Sequence, residues 1–257
     1  MRTFFLSLTV IGIYSIGVRV VNSHPTLANT PTTSRRAEPV LQEQAKSQGY
    51  QLSEPELDPQ APDREVYLYT VNYQEPNNSQ WHNLCQPDAN NLAKAMLLSG
   101  EWNETGTHID NDRVTVACTS GVLAKCVRWG YKPWQTVQGV SLRDYHQTCT
   151  RMARADYCGN GISHTKDGTQ IDIYDRLGIQ QPEPQDNQEI VFEAAWGVNG
   201  AVLLARTRYP EGLAQLKKEC PEKLAQIVSD NQSLSNEEAQ QQAAEALIFN
   251  SSLLREP

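Results

Sequence analysis

The chain has no apolar run of the roughly 20 residues that a relaxed transmembrane helix needs. It has no C-x-x-C pair, no G-x-S-x-G, no H-E-x-x-H and no internal repeat. Those absences remove a thioredoxin-type redox pair, a zinc knuckle, a serine-hydrolase elbow, a zincin helix and a solenoid. Gly159-Asn160-Gly161 lacks the third glycine of a dinucleotide loop and follows a helix pattern instead of a strand, so no cofactor is expected. Excess positive charge is missing too. The 257 residues carry 30 acids against 22 bases, a net charge of −8. That balance argues against nucleic acid as the general partner.

What is present begins with Arg2 and the apolar run Phe4–Val18, which has the length of a signal-peptide hydrophobic region. Val21 and Ser23 suit a cleavage site after Ser23, so residues 1–23 read as a signal peptide. Arg19 is an awkward charge there, and an uncleaved segment would be the route to a membrane. Removing residues 1–23 leaves 20 basic and 30 acidic residues, a net charge of −10. Six cysteines remain: Cys85, Cys118, Cys126, Cys149, Cys158 and Cys220. An even count behind an export signal reads as disulfides in a periplasmic or extracellular protein. Spacing does not select among the pairings. The expectation is Cys126–Cys149 between two central helices, Cys118–Cys158 beside them, and Cys85–Cys220.

Residues 24–64 hold six prolines and few large apolar side chains. Such a composition buries too little surface to offset ordering entropy. It predicts a disordered linker, with a short helix near Val40–Ser47 as an option. One folded domain is expected over residues 65–252.

Within it, Val66–Tyr73 alternates and is β-rich, hence a strand. Leu92, Met96 and Leu97 predict a helix over Asp88–Ser99. A strand at Val114–Ala117 and a helix at Val122–Trp129 follow. Ser141 and Asp144 open the clearest helix, with Leu142, Tyr145, Cys149 and Met152 on one face and Arg143, Arg151 and Arg154 opposite. Gly159 and Gly161 are expected to stop it. Thr169–Tyr174 predicts a strand with Asp172 outward, and Val191–Arg206 a strand, turn and strand. Two helices, near Gly212–Val228 and Asn236–Phe249, close the chain, the second capped by Ser235 and Glu238. The mixture lacks regular βαβ alternation, which indicates an α+β domain.

Several separated segments occur in order: CTSGVLAKCVRWGYKPW (118–134), CTRMARADYCGNG (149–161), DGTQIDIYD (167–175) and FEAAWGVNGA (192–201). Together they resemble the bacterial ADYC-domain family, whose name is the tetrad Ala155-Asp156-Tyr157-Cys158. The resemblance runs from about Tyr67 to the ALIFNSS segment near the C-terminus. It implies an exported bacterial protein and transfers no catalytic residue.

Four readings of candidate chemistry follow from the residues. A secreted hydrolase would draw its acid and base groups from Asp156, His146, His164 and Asp172. A thiol nucleophile at Cys158 or Cys149 would need a free thiolate, which bridging removes. A calcium site would use Asp167, Asp172 and Asp175 as part of its oxygen shell. The glycine-rich run after Tyr157 echoes the calcium loop of secreted phospholipase A2, but the His-Asp helix of that family is missing after Arg176. Finally, residues 118–158 hold Lys125, Arg128, Lys132, Arg143, Arg151 and Arg154 against Asp144 and Asp156, a local charge of +4. Arg151 and Arg154 beside Trp129 and Trp134 would suit an anionic or carbohydrate-like ligand. The plainer account pairs these arginines with the acids of residues 167–193. The expected function is a binding or structural module of the cell envelope or extracellular space, with the hydrolase as the alternative.

Overall fold

The computed structural model describes residues 34–62, 64–75, 80–182, 190–231 and 233–253. The signal-peptide reading of residues 1–23 and the start of the linker, 24–33, lie outside the described residues. From Ser34 onward the linker expectation is corrected. Helix α1, Ser34–Ser47, leads into strands β1 (Gln51–Leu52) and β2 (Glu56–Leu57). Ala45 is fully buried, and Leu41, Tyr50 and Leu52 pack beside it against Tyr69, Val71 and Val114. The side chain of Gln48 donates to the carbonyl of Val114 at 3.0 Å and accepts from its N–H at 2.8 Å. A segment poor in apolar residues orders here because the rest of the domain supplies the surface it covers.

The strand expected over Val66–Tyr73 is two strands, β3 (Tyr67–Leu68) and β4 (Val71–Gln74). The break arises because β3 pairs with β2, whereas β4 lies between β1 and β5 (Trp81–Asn83). No helix forms over Asp88–Ser99. Asp88 Oδ1 accepts from the N–H groups of Asn90 and Leu92, which makes a tight turn. Strand β6 (Ala95–Trp102) then pairs antiparallel with β7 (His108–Cys118). Ala95 and Leu97 face the α1 side of this hairpin, and Met96 and Leu98 face the opposite side. A continuous apolar run therefore sits in a strand covered on both faces, a pattern that periodicity does not separate from a buried helix.

Helix α2 (Val122–Arg128) follows, starting from Gly121 with no side-chain cap. A small hairpin, β8 (Thr136–Val137) and β9 (Val140–Ser141), leads into α3 (Arg143–Arg154). Leu142, Tyr145, Cys149 and Met152 are all buried, as their spacing predicts. The helix ends earlier than the glycines: Ala155 takes the left-handed C-cap at φ 51°. Strands β10 (Ile171–Asp175), β11 (Ile190–Gly197) and β12 (Gly200–Leu204) come next.

The first C-terminal helix is broken at Cys220-Pro221 into α4 (Gly212–Glu219) and α5 (Pro221–Ile227), because proline starts a new helix at its own position. Helix α6 (Asn236–Gln242) carries the expected Ser235–Glu238 capping box. It stops short of Phe249, and β13 (Ile248–Leu253) follows. That last strand enters the middle of a sheet ordered β10-β13-β11-β12. The α+β class holds, with several small sheets and three disulfides.

The main core lies between α2 and α3 on one side and this sheet on the other, around Trp196, Tyr157, Met152 and Ile248. Ala239, Ala243 and Ala246 close the other face of the sheet over Phe249 and Tyr174. Helix α3 packs in the main core and also reaches the β6–β7 turn, where Gln147 donates to the Gly106 carbonyl at 2.7 Å.

Candidate functional site

The C-terminal end of α3 and the tetrad after it form the densest polar assembly. Asp156 is fully buried, and its Oδ2 lies 2.5 Å from Nη1 of Arg151, itself 2 % exposed. The same carboxylate accepts from the N–H groups of Asn160 at 3.1 Å and Gly161 at 2.9 Å. Arg151 also donates to the carbonyl of Thr105, to Thr107 Oγ1 at 2.9 Å and to the carbonyl of Val198. One ion pair thereby ties α3 to the β6–β7 turn, to the β11–β12 turn and to its own following loop. Arg154 donates to the carbonyl of Gly161 in that loop.

A second network sits deeper. Tyr157 donates to Glu193 Oε1 at 3.0 Å and accepts from the Arg208 N–H at 2.7 Å. Arg208 grips Glu193 with Nε at 3.0 Å and Nη2 at 2.9 Å. It also donates to the last carbonyls of α3, Met152 and Ala153. All three side chains are buried. Burial alone pushes the Glu193 carboxyl up, but Arg208 outweighs it and holds the group below its ordinary range. Glu193 and Arg208 were not singled out from sequence. The available signal was a lone acid inside FEAAW, since a fully buried glutamate needs a partner.

Each residue of the tetrad therefore has a holding role. Ala155 turns the chain, Asp156 binds Arg151 and caps the loop, Tyr157 joins the Glu193–Arg208 pair, and Cys158 is bonded to Cys220. The disulfides are Cys85–Cys118, Cys126–Cys149 and Cys158–Cys220, with no free cysteine. Cys126–Cys149 joins α2 to α3 as expected. The expected Cys118–Cys158 and Cys85–Cys220 pairs are corrected. Cys118 ends β7 at the β4–β6 side of the molecule, where Cys85 lies, and Cys158 faces the α4–α5 junction. These bridges also remove the thiol-nucleophile reading.

His146, His164 and Asp156, three of the hydrolase candidates, each have structural partners of their own. His146 is buried, donates Nε2 to the Leu123 carbonyl at 3.1 Å and lies edge-on to Trp102. Burial pushes its imidazole down to about 4. His164 contacts the Ala155 carbonyl at 3.1 Å and Glu219 at 3.0 Å, so both ring nitrogens are engaged. Asp156 is held by Arg151, and Asp172 lies on β10 opposite Ser251. The calcium reading fares similarly. Asp175 accepts from the N–H groups of Leu177, Ile179 and Gln180 and from the Tyr131 hydroxyl. Among the described residues no group of three or more His, Cys, Asp or Glu is placed to hold a metal ion.

Of the arginine-face candidates, the Arg143 side chain is exposed and Arg154 is half-buried. Arg151 and Trp129 are buried. Among the described residues Arg128 pairs with Asp58 and Asp88, Arg143 with Asp110 and Arg151 with Asp156, whereas Lys125 of the same segment feels the charge of Asp167. Trp134 is partly buried and lines a cleft of about 200 Å³ between α1, β3 and β6. Val66, Tyr67, Met96 and Leu97 line it together with Glu38, Glu65, Asp110, His108 and Arg143.

No curated protein and no solved structure matches the chain. A family model described as the ADYC domain matches residues 33–210. The match begins ahead of the expected boundary at Glu65 and takes in α1, β1 and β2. It stops before α4, so Cys220 and β13 fall outside it. With well over half of its length matched, the chain belongs to the ADYC-domain family.

Proposed function

We propose that this chain is an exported, disulfide-braced binding or structural module of the cell envelope or extracellular space, and not a hydrolase. The observation that carries the reading is the state of the tetrad. The acids, bases and thiols that looked chemical in sequence are spent on holding backbone: Asp156 on Arg151 and a turn, Tyr157 on Glu193 and Arg208, Cys158 on Cys220. A general acid or base must reach a substrate proton, and buried, fully engaged groups do not. Three disulfides with no free cysteine support an oxidising compartment.

The test pairs activity with stability. The oxidised chain is assayed on ester, amide and glycoside substrates, beside His164→Asn and Asp156→Asn variants whose folding is checked by near-UV circular dichroism. The reading expects no turnover by any of them and a lower denaturation midpoint for Asp156→Asn. Turnover by the parent that a folded His164→Asn variant has lost would overturn it.

A further inference from the structure

His108 stands where three elements meet. It opens β7, and its backbone N–H donates to Gln147 of α3 at 3.0 Å. Its half-buried ring lies on Trp102 of β6, with 4.3 Å between centroids. Gly100 makes room for the ring, since a Cβ there would lie 2.4 Å from Nε2. Both ring nitrogens have partners. Nε2 meets the Ser99 carbonyl at 3.0 Å, and Nδ1 meets Arg143 Nη2 at 2.8 Å. A carbonyl only accepts and a guanidinium only donates. The two contacts therefore fix the proton on Nε2 and leave Nδ1 bare, so the ring is neutral while Arg143 stays in place.

A proton at Nδ1 is incompatible with this arrangement. The acceptor becomes a donor, the hydrogen bond from Arg143 is lost, and two positive charges face each other at contact distance. The other partner of Arg143 is Asp110, whose side chain is 70 % exposed, so a released guanidinium follows it toward solvent. The rest of the junction holds. Gln147 keeps the His108 N–H and the Gly106 carbonyl, and Arg151 keeps Thr105 and Thr107. The change is confined to the side chains of His108 and Arg143, which both line the cleft between α1, β3 and β6.

The other charged groups around the ring are accounted for. Glu38 and Glu65 line the same cleft, where Glu38 accepts from Tyr69 and Glu65 from Gln135. Glu101 of β6 is paired with Arg113, and Asp144 stands in the first turn of α3. His146 packs edge-on against the same Trp102, and burial keeps it neutral down to about 4. Burial first, and then Arg143, hold the His108 imidazole below its ordinary 6.5, against the pull of the Ser99 carbonyl and Asp110. The contact is therefore closed at neutral pH and opens as the pH falls through that lowered value.

We propose that His108 is an acid-operated latch on the cleft: a proton taken from solvent at Nδ1 frees Arg143 and opens the wall that the two side chains form. The proposal is independent of the non-catalytic reading.

The experiment is nuclear magnetic resonance of the full oxidised chain carrying nitrogen-labelled histidine and methyl-labelled methionine, titrated from pH 7.5 to pH 5. His108 should show the Nε2–H tautomer at pH 7.5 and a midpoint below 6.5. The methyl of Met96, which lines the cleft, should shift with that same midpoint. Met152, fully buried in the main core, should not. Arg143→Ala, a change at an exposed side chain, should raise the His108 midpoint by on the order of half a pH unit and remove most of the acid shift of Met96. His108→Gln should remove that shift as well. An Nδ1–H tautomer at pH 7.5 would overturn the proposal, as would a His108 midpoint that Arg143→Ala leaves unmoved. A Met96 shift kept in full by His108→Gln would also overturn it, in favour of Glu38, whose carboxyl burial raises. Should His108→Gln fail to fold, the tautomer and the Arg143→Ala midpoint decide alone.

Discussion

Asp156 Oδ2 sits 2.5 Å from Arg151 Nη1, five residues upstream, with both side chains shut away from solvent. Taking either charge out of water is expensive, and removing one partner leaves the other uncompensated. Asp156→Asn keeps the shape and one acceptor for the Asn160–Gly161 turn but strands the guanidinium. The expected loss is about 3–5 kcal/mol, read from urea denaturation. An Arg151→Met, Asp156→Asn double variant should lose clearly less than the sum of the single losses. Additive losses would show that the pair is not coupled.

Stability should fall on acidification before the carboxylates titrate. His146 is held near a pKa of about 4 by burial, against an ordinary value of 6.5. Between those values the unfolded chain binds a proton that the folded chain refuses. Its contribution is therefore complete above pH 6.5 and is lost as the pH falls toward 4, by at most about 3 kcal/mol. Glu193, held below its ordinary range, adds a further loss at lower pH. Urea midpoints at pH 7.5 and pH 5 should differ markedly for the parent and less for His146→Gln. His108, also lowered by burial and packed on the same Trp102, leaves a residual slope.

Two glycines with the same positive φ should respond differently to alanine. At Gly159, φ 73°, an added Cβ would lie 2.0 Å from the Asn199 carbonyl oxygen. At Gly168, φ 76°, it would meet nothing within 4 Å. Gly168→Ala should cost about 1 kcal/mol for the left-handed backbone alone. Gly159→Ala must also push the β11–β12 turn off the tetrad and should cost several-fold more, measured by thermal denaturation. Equal shifts would contradict the close approach of those two loops.

The family match ends at residue 210, yet the fold does not. Truncation there removes β13, the strand to which both β10 and β11 pair, and leaves Cys158 without Cys220. The truncated chain should show no cooperative unfolding transition and one reactive thiol by alkylation and mass spectrometry. The full chain should show none. Replacing Cys158 and Cys220 by serine in the full chain is milder, at about 4 kcal/mol for a loop of this length.

How much of this was legible in the sequence depended on range. The inward face of α3, the β11–β12 hairpin and the Ser235 cap are local patterns, carried by spacings of a few residues, and they stand. The α1 segment was read as a linker with only an optional helix at Val40–Ser47, where α1 spans Ser34–Ser47, because composition counts what a segment offers and not what it docks against. The helix expected at Asp88–Ser99 failed because an apolar run buried on both faces has no period to read.

The site divided along the same line. By itself the sequence determined the family, through the ordered segments around Ala155–Cys158, and the presence of three disulfides' worth of cysteine. Only the tertiary structure decided how Cys85, Cys118, Cys158 and Cys220 pair and that Arg151 pairs inward with Asp156. It alone also decided that Glu193 and Arg208, fifteen residues apart, close on Tyr157. Those contacts are set by how loops and strands approach across the core. A charged side chain looks identical in sequence whether it meets solvent, a substrate or a buried partner, and only burial tells the three apart.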